Sequence, residues 1–186
     1  MRQIALALLH YPVLDRQGQL VTTAITNLDL HDIARSAHTF ALECLFIVHP
    51  VAAQRELARR VREHWLTGSG ARRIPDRSLA MNALRVTATL DDAVAELGGP
   101  EGVELWSTSA RRGDGDLMSY DEGAALLRSD GPAVLLLFGT GWGLAPEVCQ
   151  RARRKLVPIE SPRSDGYNHL SVRAAAAITF DRLLGI

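Results

Sequence analysis

Short apolar runs alternate with amphipathic stretches along almost the whole chain, and the change of period from one to the next predicts the elements. Runs bounded by turn residues read as strands at Ile4–Leu9, Leu45–Val48, Arg85–Ala88, Val103–Ser107, Ala133–Phe138 and Val157–Ile159. Between them, apolar positions with helical spacing predict helices at Leu30–Phe40, Val51–Trp65, Asp91–Leu97, Tyr120–Arg128, Pro146–Arg154 and Ser171–Leu184. Thr89-x-x-Asp92 and Ser119-x-x-Glu122 read as capping boxes, in which a hydroxyl and an acid satisfy orphan amides reciprocally. Pro146 suits a first helical position. Strands alternating with helices imply a mostly parallel sheet covered on both faces. Three segments interrupt the rhythm: a polar loop at His10–Gly18, an exposed Gly/Arg/Pro-rich stretch at Thr67–Ser78, and Ser107–Met118 after a strand. A loop at the carboxyl end of a parallel strand is where ligands usually bind.

Composition narrows the class without deciding it. A chain of 186 residues, 47% apolar and 23% charged, fits one ordinary globular domain over residues 1–186. No apolar run approaches the roughly 18 residues that span a bilayer. The apolar start, Ile4–Leu9, lacks a small-residue cleavage site and reads as a first strand, so the expected location is the cytoplasm. Cys44 and Cys149 are too few and too far apart for a disulfide framework or a zinc site, and no metal is expected. The formal net charge is zero, yet 20 of the 21 basic residues are arginine, clustered at 59–62, 72–77, 111–112 and 151–154. The planar guanidinium suits phosphate, which permits RNA as a partner without requiring it.

Three segments carry candidate chemistry. The first runs from Thr26 to His38, where Asn27 and Asp29 are natural N-caps and Asp32, Arg35 and Ser36 share one side of the helix, so that Asp32 and Arg35 can pair. The second is Gly139-Thr-Gly-Trp-Gly-Leu144, directly after a buried strand. Its glycines allow positive φ and close backbone approach, so its amides can meet a nucleoside or carboxylate, with Trp142 as a cover. The spacing is not that of the dinucleotide fingerprint G-x-G-x-x-G, although Glu160 lies about where a ribose-binding acid would fall. The third places Tyr167, Asn168 and His169 at the entry to a helix capped by Ser171, whose Ala174–Ala177 run admits close packing.

In order and spacing, these segments resemble the three motifs of the SPOUT RNA methyltransferases. NLDLHDIARSAHTFALECLFIVHP is similar to the first motif of the ribose-methylating branch, with Asn27 and Arg35 at the matching positions. LLLFGTGWGLAPEV is similar to the second motif, and VPIESPRSDGYNHLSVRAAAAI to the third. The resemblance implies an α/β fold with a mostly parallel sheet, helices on both faces and a deep C-terminal trefoil knot over residues 103–186, a feature that physical rules alone would not suggest. It also implies S-adenosylmethionine as cofactor, an RNA substrate (tRNA or rRNA) and a homodimer through the knot helices. The implied cofactor contacts are Thr108, Phe138, Gly139, Thr140, Gly141, Trp142, Gly143, Pro158, Ile159, Tyr167, Asn168 and Leu170.

The chain departs from the ribose-methylating pattern at Trp142, Tyr167 and His169, which leaves base and ribose acceptors both open. The implied catalytic set is Arg35, Asp32, Asn27 and His169. Arginine does not deprotonate, so Arg35 is expected to orient a phosphate or stabilise an oxyanion, while Asp32, His169 or Asp29 takes the proton. Two other classes stand beside this one: a catalytically silent RNA-binding module on the same fold, and a nicotinamide-dependent oxidoreductase binding its dinucleotide at Gly139–Gly143 and Glu160.

Overall fold

The computed structural model describes residues 1–113 and 115–185. Strands β1 (Ile4–Leu9), β4 (Leu45–Val48), β5 (Leu84–Thr87), β6 (Val103–Ser107), β7 (Ala133–Gly139) and β8 (Arg154–Lys155) form one sheet in the order β5-β4-β1-β7-β6-β8. All five pairings are parallel. A two-stranded antiparallel hairpin, β2 (Val13–Leu14) with β3 (Leu20–Val21), follows β1. The helices are α1 (Asn27–Thr39), α2 (Ala52–Leu66), α3 (Ser69–Arg73), α4 (Pro75–Asn82), α5 (Leu90–Leu97), α6 (Tyr120–Arg128), α7 (Pro146–Arg151) and α8 (Val172–Leu184).

The period of two along each strand sorts side chains onto two cores. Ile4, Leu6 and Leu8 of β1 join Leu30 and Ile33 of α1, Met81 of α4 and Phe180 of α8. Ala5, Ala7 and Leu9 face the other way, with Val94 of α5 and Val148 of α7. Every residue of β1 is buried, which is the continuous apolar signature of a central parallel strand. Both capping boxes form as expected, at Thr89–Asp92 and Ser119–Glu122.

Five local expectations are corrected. The last strand is Arg154–Lys155, not Val157–Ile159, because Leu156 and Val157 donate to Ser107 and Met118, and Pro158, with no N–H, ends the ladder. Helix α7 stops at Arg151, since Ala152 is extended and the Arg153 amide is drawn to the Leu105 carbonyl at the sheet edge. Thr67–Ser78, expected as an exposed interruption of the rhythm, is largely exposed but carries α3 and the start of α4, with Pro75 in its first turn. His10–Gly18 contains β2, paired through Val13–Val21 and Leu14–Leu20. The N-cap of α1 is Thr26, extended at φ −109° and ψ 141°, whose hydroxyl accepts from the Asp29 amide; Asn27 and Asp29 lie inside the helix. Among the described residues no helix is long and apolar enough to cross a membrane, and no group of three or more His, Cys, Asp or Glu side chains could hold a metal.

After β8 the chain runs past the 108–118 segment and returns as α8. There Asn168 donates to the carbonyls of Ile159 (2.9 Å) and Ala110 (3.4 Å), and α8 packs between α1 and α6. The return places the C-terminal helix under the same sheet edge that carries the glycine-rich turn.

Candidate functional site

Because the six strands are parallel, their carboxyl ends gather on one edge, and a cavity of about 920 Å³ opens there. It is lined chiefly by four stretches far apart in sequence: Thr23–Asp29, the loop after β6, the loop after β7, and the segment from Val157 into α8. Of the residues expected to contact a cofactor, Thr108, the whole Phe138–Gly143 stretch, Ile159, Tyr167, Asn168 and Leu170 line it, and Pro158 does not. Of the expected catalytic residues only His169 does. Asp32 and Arg35 sit in a separate shallow depression with Ser36, Thr39 and Phe40, and Asn27 lines neither.

The glycine turn is built for close approach. Gly141 and Gly143 have φ of +59° and +111°, and a Cβ on Gly139 would stand 2.7 Å from the Leu144 nitrogen. The turn is held by the hairpin that the sequence did not reveal: the Trp142 amide donates to the Leu14 carbonyl, and the Leu14 amide to the Gly143 carbonyl, each at 2.9 Å. The walls are tied by their own polar groups. The Thr108 hydroxyl donates to the Leu137 carbonyl (2.9 Å), and the Asn168 amide joins the Ala110 and Ile159 segments.

Behind the turn lies a relay of buried groups. Thr140 donates to the Leu9 carbonyl (3.1 Å), so its oxygen accepts from Thr23, and the Thr23 oxygen accepts from His10 Nδ1 (3.0 Å). That direction puts the proton on Nδ1 of His10 and leaves Nε2 buried without a partner. His10 is 1% exposed, and burial, helped by neighbouring His49, pushes its pKa down to about 4 against the partial pull of Asp29 and Thr23. The Val51 amide donates to Nδ1 of His49, so the Nε2–H of His49 donates to the Thr23 carbonyl (3.0 Å). Burial lowers the pKa of His49 as well. Both imidazoles serve as neutral struts under the site.

Among the described residues Asp29 is the one acid on the cavity wall, 7% exposed and held on both oxygens, by the Thr26 hydroxyl at 2.6 Å and by Arg173 Nη1 at 2.8 Å. Arg173 also reaches Asp32 at 3.3 Å, so the expected Asp32–Arg35 pair gives way to one guanidinium shared between Asp29 in the cavity and Asp32 in the shallow depression. Thr23, Thr26 and Arg173 were not singled out from the sequence. The signal was the sheet order alone, which sets the chain leaving β1 beside the turn leaving β7. Glu160 pairs with Arg112 at 2.6 Å and does not line the cavity, so it does not stand beside the glycine turn as a ribose-binding acid.

A family model for SAM-dependent RNA methyltransferases matches residues 3–185. The chain belongs to that family. S-adenosylmethionine is accordingly its cofactor, and the oxidoreductase reading falls. A tRNA (guanine-N(1)-)-methyltransferase of Oleidesulfovibrio alaskensis is 42% identical over 186 residues, covering 99% of this chain and 42% of that protein. The chain thus spans about two fifths of the length of that relative, as it does of its counterpart in Nitratidesulfovibrio vulgaris. An Aquifex aeolicus protein is 34% identical over 97% of this chain and 87% of its own length. Among solved structures, a probable methyltransferase from Bordetella pertussis superposes with a TM-score of 0.64 at 16% identity, covering 98% of this chain and 94% of that one. The SpoU methyltransferase AviRb of Streptomyces viridochromogenes, crystallised with AdoMet, superposes with a TM-score of 0.54 at 15% identity, covering 98% and 57%. These likenesses establish a SPOUT α/β fold.

Proposed function

We propose that this domain transfers a methyl group from S-adenosylmethionine to a nucleotide of a structured RNA, with the cofactor in the cavity at the carboxyl edge of the sheet. The observation that carries the reading is the glycine turn: positive φ at Gly141 and Gly143, and no room for a side chain at Gly139, leave bare backbone facing a cavity walled by two further loops. Backbone groups of Phe138–Gly141, Gly143, Thr108, Ile159, Asn168 and Leu170 would hold the nucleoside part. The C-terminal segment, residues 103–186, would be threaded as a trefoil knot, which brings the Val157–Ser171 wall against the 108–111 wall.

When bound, the cofactor supplies an electrophilic methyl on a sulfonium. The chain has to align an acceptor oxygen or nitrogen with that methyl group and receive the one proton the acceptor gives up. His169, exposed at the mouth, and Asp29, fixed between Thr26 and Arg173, are the groups of this chain within the cavity that can take it. Arg35 and Asp32 lie outside the cavity of one chain, so Arg35 would orient RNA phosphate and Asp32 would take the proton only with a homodimer through the α8 region bringing their depression to a second copy's site. Asn27 would act only on α1, as its first residue. The expected setting is the cytoplasm.

The name of the two longer relatives makes tRNA the first substrate to try, but it describes proteins more than twice this chain's length, so the guanine N1 acceptor is not carried over. The test is incubation with methyl-labelled S-adenosylmethionine and separate tRNA and rRNA fractions, followed by nuclease digestion and nucleoside analysis. Label in one modified nucleoside supports the reading and names the acceptor. Tight binding of S-adenosylhomocysteine with no labelled RNA from any fraction would instead favour the silent module.

A further inference from the structure

The mouth of the cavity differs in chemistry from its interior. Trp142 is 45% exposed and Tyr167 63% exposed, although each belongs to a short turn whose backbone is fixed. The Trp142 amide is held by the Leu14 carbonyl, and the Tyr167 amide by the Asp165 carboxylate at 3.1 Å, which Arg163 in turn clasps. Between the two rings stands His169, edge-on to Trp142 at 6.4 Å and tilted only 31° from Tyr167 at 6.5 Å. The Arg111 guanidinium lies over the Trp142 ring at 5.4 Å from its centroid. All four residues line the cavity. Large rings are ordinarily buried or given a partner, because their surface is costly to leave in water. Here they are pinned outward together, with a cation beside them.

We propose that Trp142, Tyr167, His169 and Arg111 form a stacking wall that takes an unpaired nucleobase of the RNA, the one carried by the nucleotide being methylated or its immediate neighbour. The proposal rests on the methyltransferase reading and deepens it. Three observations favour a base of the RNA over the cofactor's own adenine. First, Trp142 and Tyr167 are open to solvent, whereas the deeper wall at Phe138 is buried. Second, the cavity, of about 920 Å³, is open to solvent rather than enclosed, so a base can enter it from outside. Third, an arginine laid on an aromatic face beside further rings is how single-stranded RNA bases are held, by π-stacking with a cation against the backbone charge. A base inside a duplex cannot reach such a wall, so the substrate nucleotide is expected in a loop or to be turned out of its stack.

The experiment uses the intact protein with Trp142→Ala, Tyr167→Ala and the conservative Trp142→Phe. Each is assayed calorimetrically with S-adenosylhomocysteine and, in its presence, by anisotropy with two probes: a random single-stranded oligoribonucleotide pool and an abasic chain of equal length. Expected results are S-adenosylhomocysteine affinity within about twofold of wild type, and pool affinity weakened roughly ten- to a hundredfold in the alanine variants. Abasic binding should be unchanged and Trp142→Phe should be largely restored. Loss of S-adenosylhomocysteine affinity in the alanine variants would overturn the proposal, by showing that the rings cover the cofactor. So would equal affinity of variant and wild type for the pool, or an equal loss on pool and abasic chain. A wild-type protein that binds no S-adenosylhomocysteine would count against the methyltransferase reading itself, a separate result.

Discussion

His10 gives the most direct link between the site's architecture and a measurable property. It is 1% exposed at the end of β1, its Nδ1 proton is committed to Thr23, and its Nε2 is buried without a partner. Protonation would place a charge where water cannot solvate it, and the pKa falls from 6.5 to about 4. Each pH unit of depression is worth about 1.4 kcal/mol, so the folded state favours neutral His10 by about 3 kcal/mol. The sign follows from proton counting. Between the two values the unfolded chain binds the extra proton, so stability is complete above pH 6.5 and falls as pH drops toward 4. By pH 5 the loss should be about 2 kcal/mol.

The assay is urea unfolding of wild type and His10→Gln from about pH 7.5 to about pH 5, read as the difference between the two proteins at each pH. His49 and the carboxylates are present in both and largely cancel. Wild type should lose its advantage over the variant by about 2 kcal/mol across that window. Two parallel stability curves would refute the reasoning, because they would mean that His10 is solvated or already paired.

Three further outcomes are expected. Glu104, 9% exposed at its side chain, accepts from Trp106 (3.0 Å), Arg2 (3.1 Å) and Arg154 (2.9 Å). Burial pushes its carboxyl up, but these partners outweigh burial and hold it below the usual range. Glu104→Leu leaves Arg2 buried and unpaired, and chemical denaturation should show a loss of about 3 kcal/mol, the lower end for a broken buried pair because Arg154 is part-exposed. Gly141→Ala forces a side chain into φ +59° with its Cβ 2.8 Å from the Leu14 carbonyl oxygen; calorimetry should show S-adenosylhomocysteine affinity reduced at least tenfold, and the thermal midpoint should fall by several degrees, roughly as for a 1–2 kcal/mol loss. Arg173→Met and Asp29→Asn, combined in a double-mutant cycle of unfolding free energies, should couple by about 1–3 kcal/mol, whereas additivity would show the 2.8 Å contact to be inconsequential.

Most of the sheet could be read from the chain because central parallel strands are continuous buried runs, and four of the six expected strands start and end as observed or within one residue at β7. Helices α5 and α6 were legible through their capping boxes, which are local chemistry. What stayed hidden depended on partners elsewhere. The two-residue β8 exists only because the distant β6 pairs with it, β2 and its hairpin partner β3 are too short to show a period, and α3 and α4 lack a long apolar stripe. The site divides in the same way. Glycines at 139, 141 and 143 announce a turn by themselves, but nothing local says that Thr23 will share a hydroxyl with Thr140, 117 residues away.

That dependence on distant partners has a consequence for how the protein holds together. The hairpin grips the glycine turn through Leu14, α8 grips α1 through Arg173 and Asp29, and Asn168 grips both the Ala110 and Ile159 segments. All three clasps border one cavity, and each joins stretches more than fifty residues apart except the bond within Ile159–Asn168. A ligand that touches all three walls adds to the same closure, since it binds only when they are assembled. Saturation at a hundred times Kd would then stabilise the fold by about 2.7 kcal/mol, whichever ligand bridges the three walls.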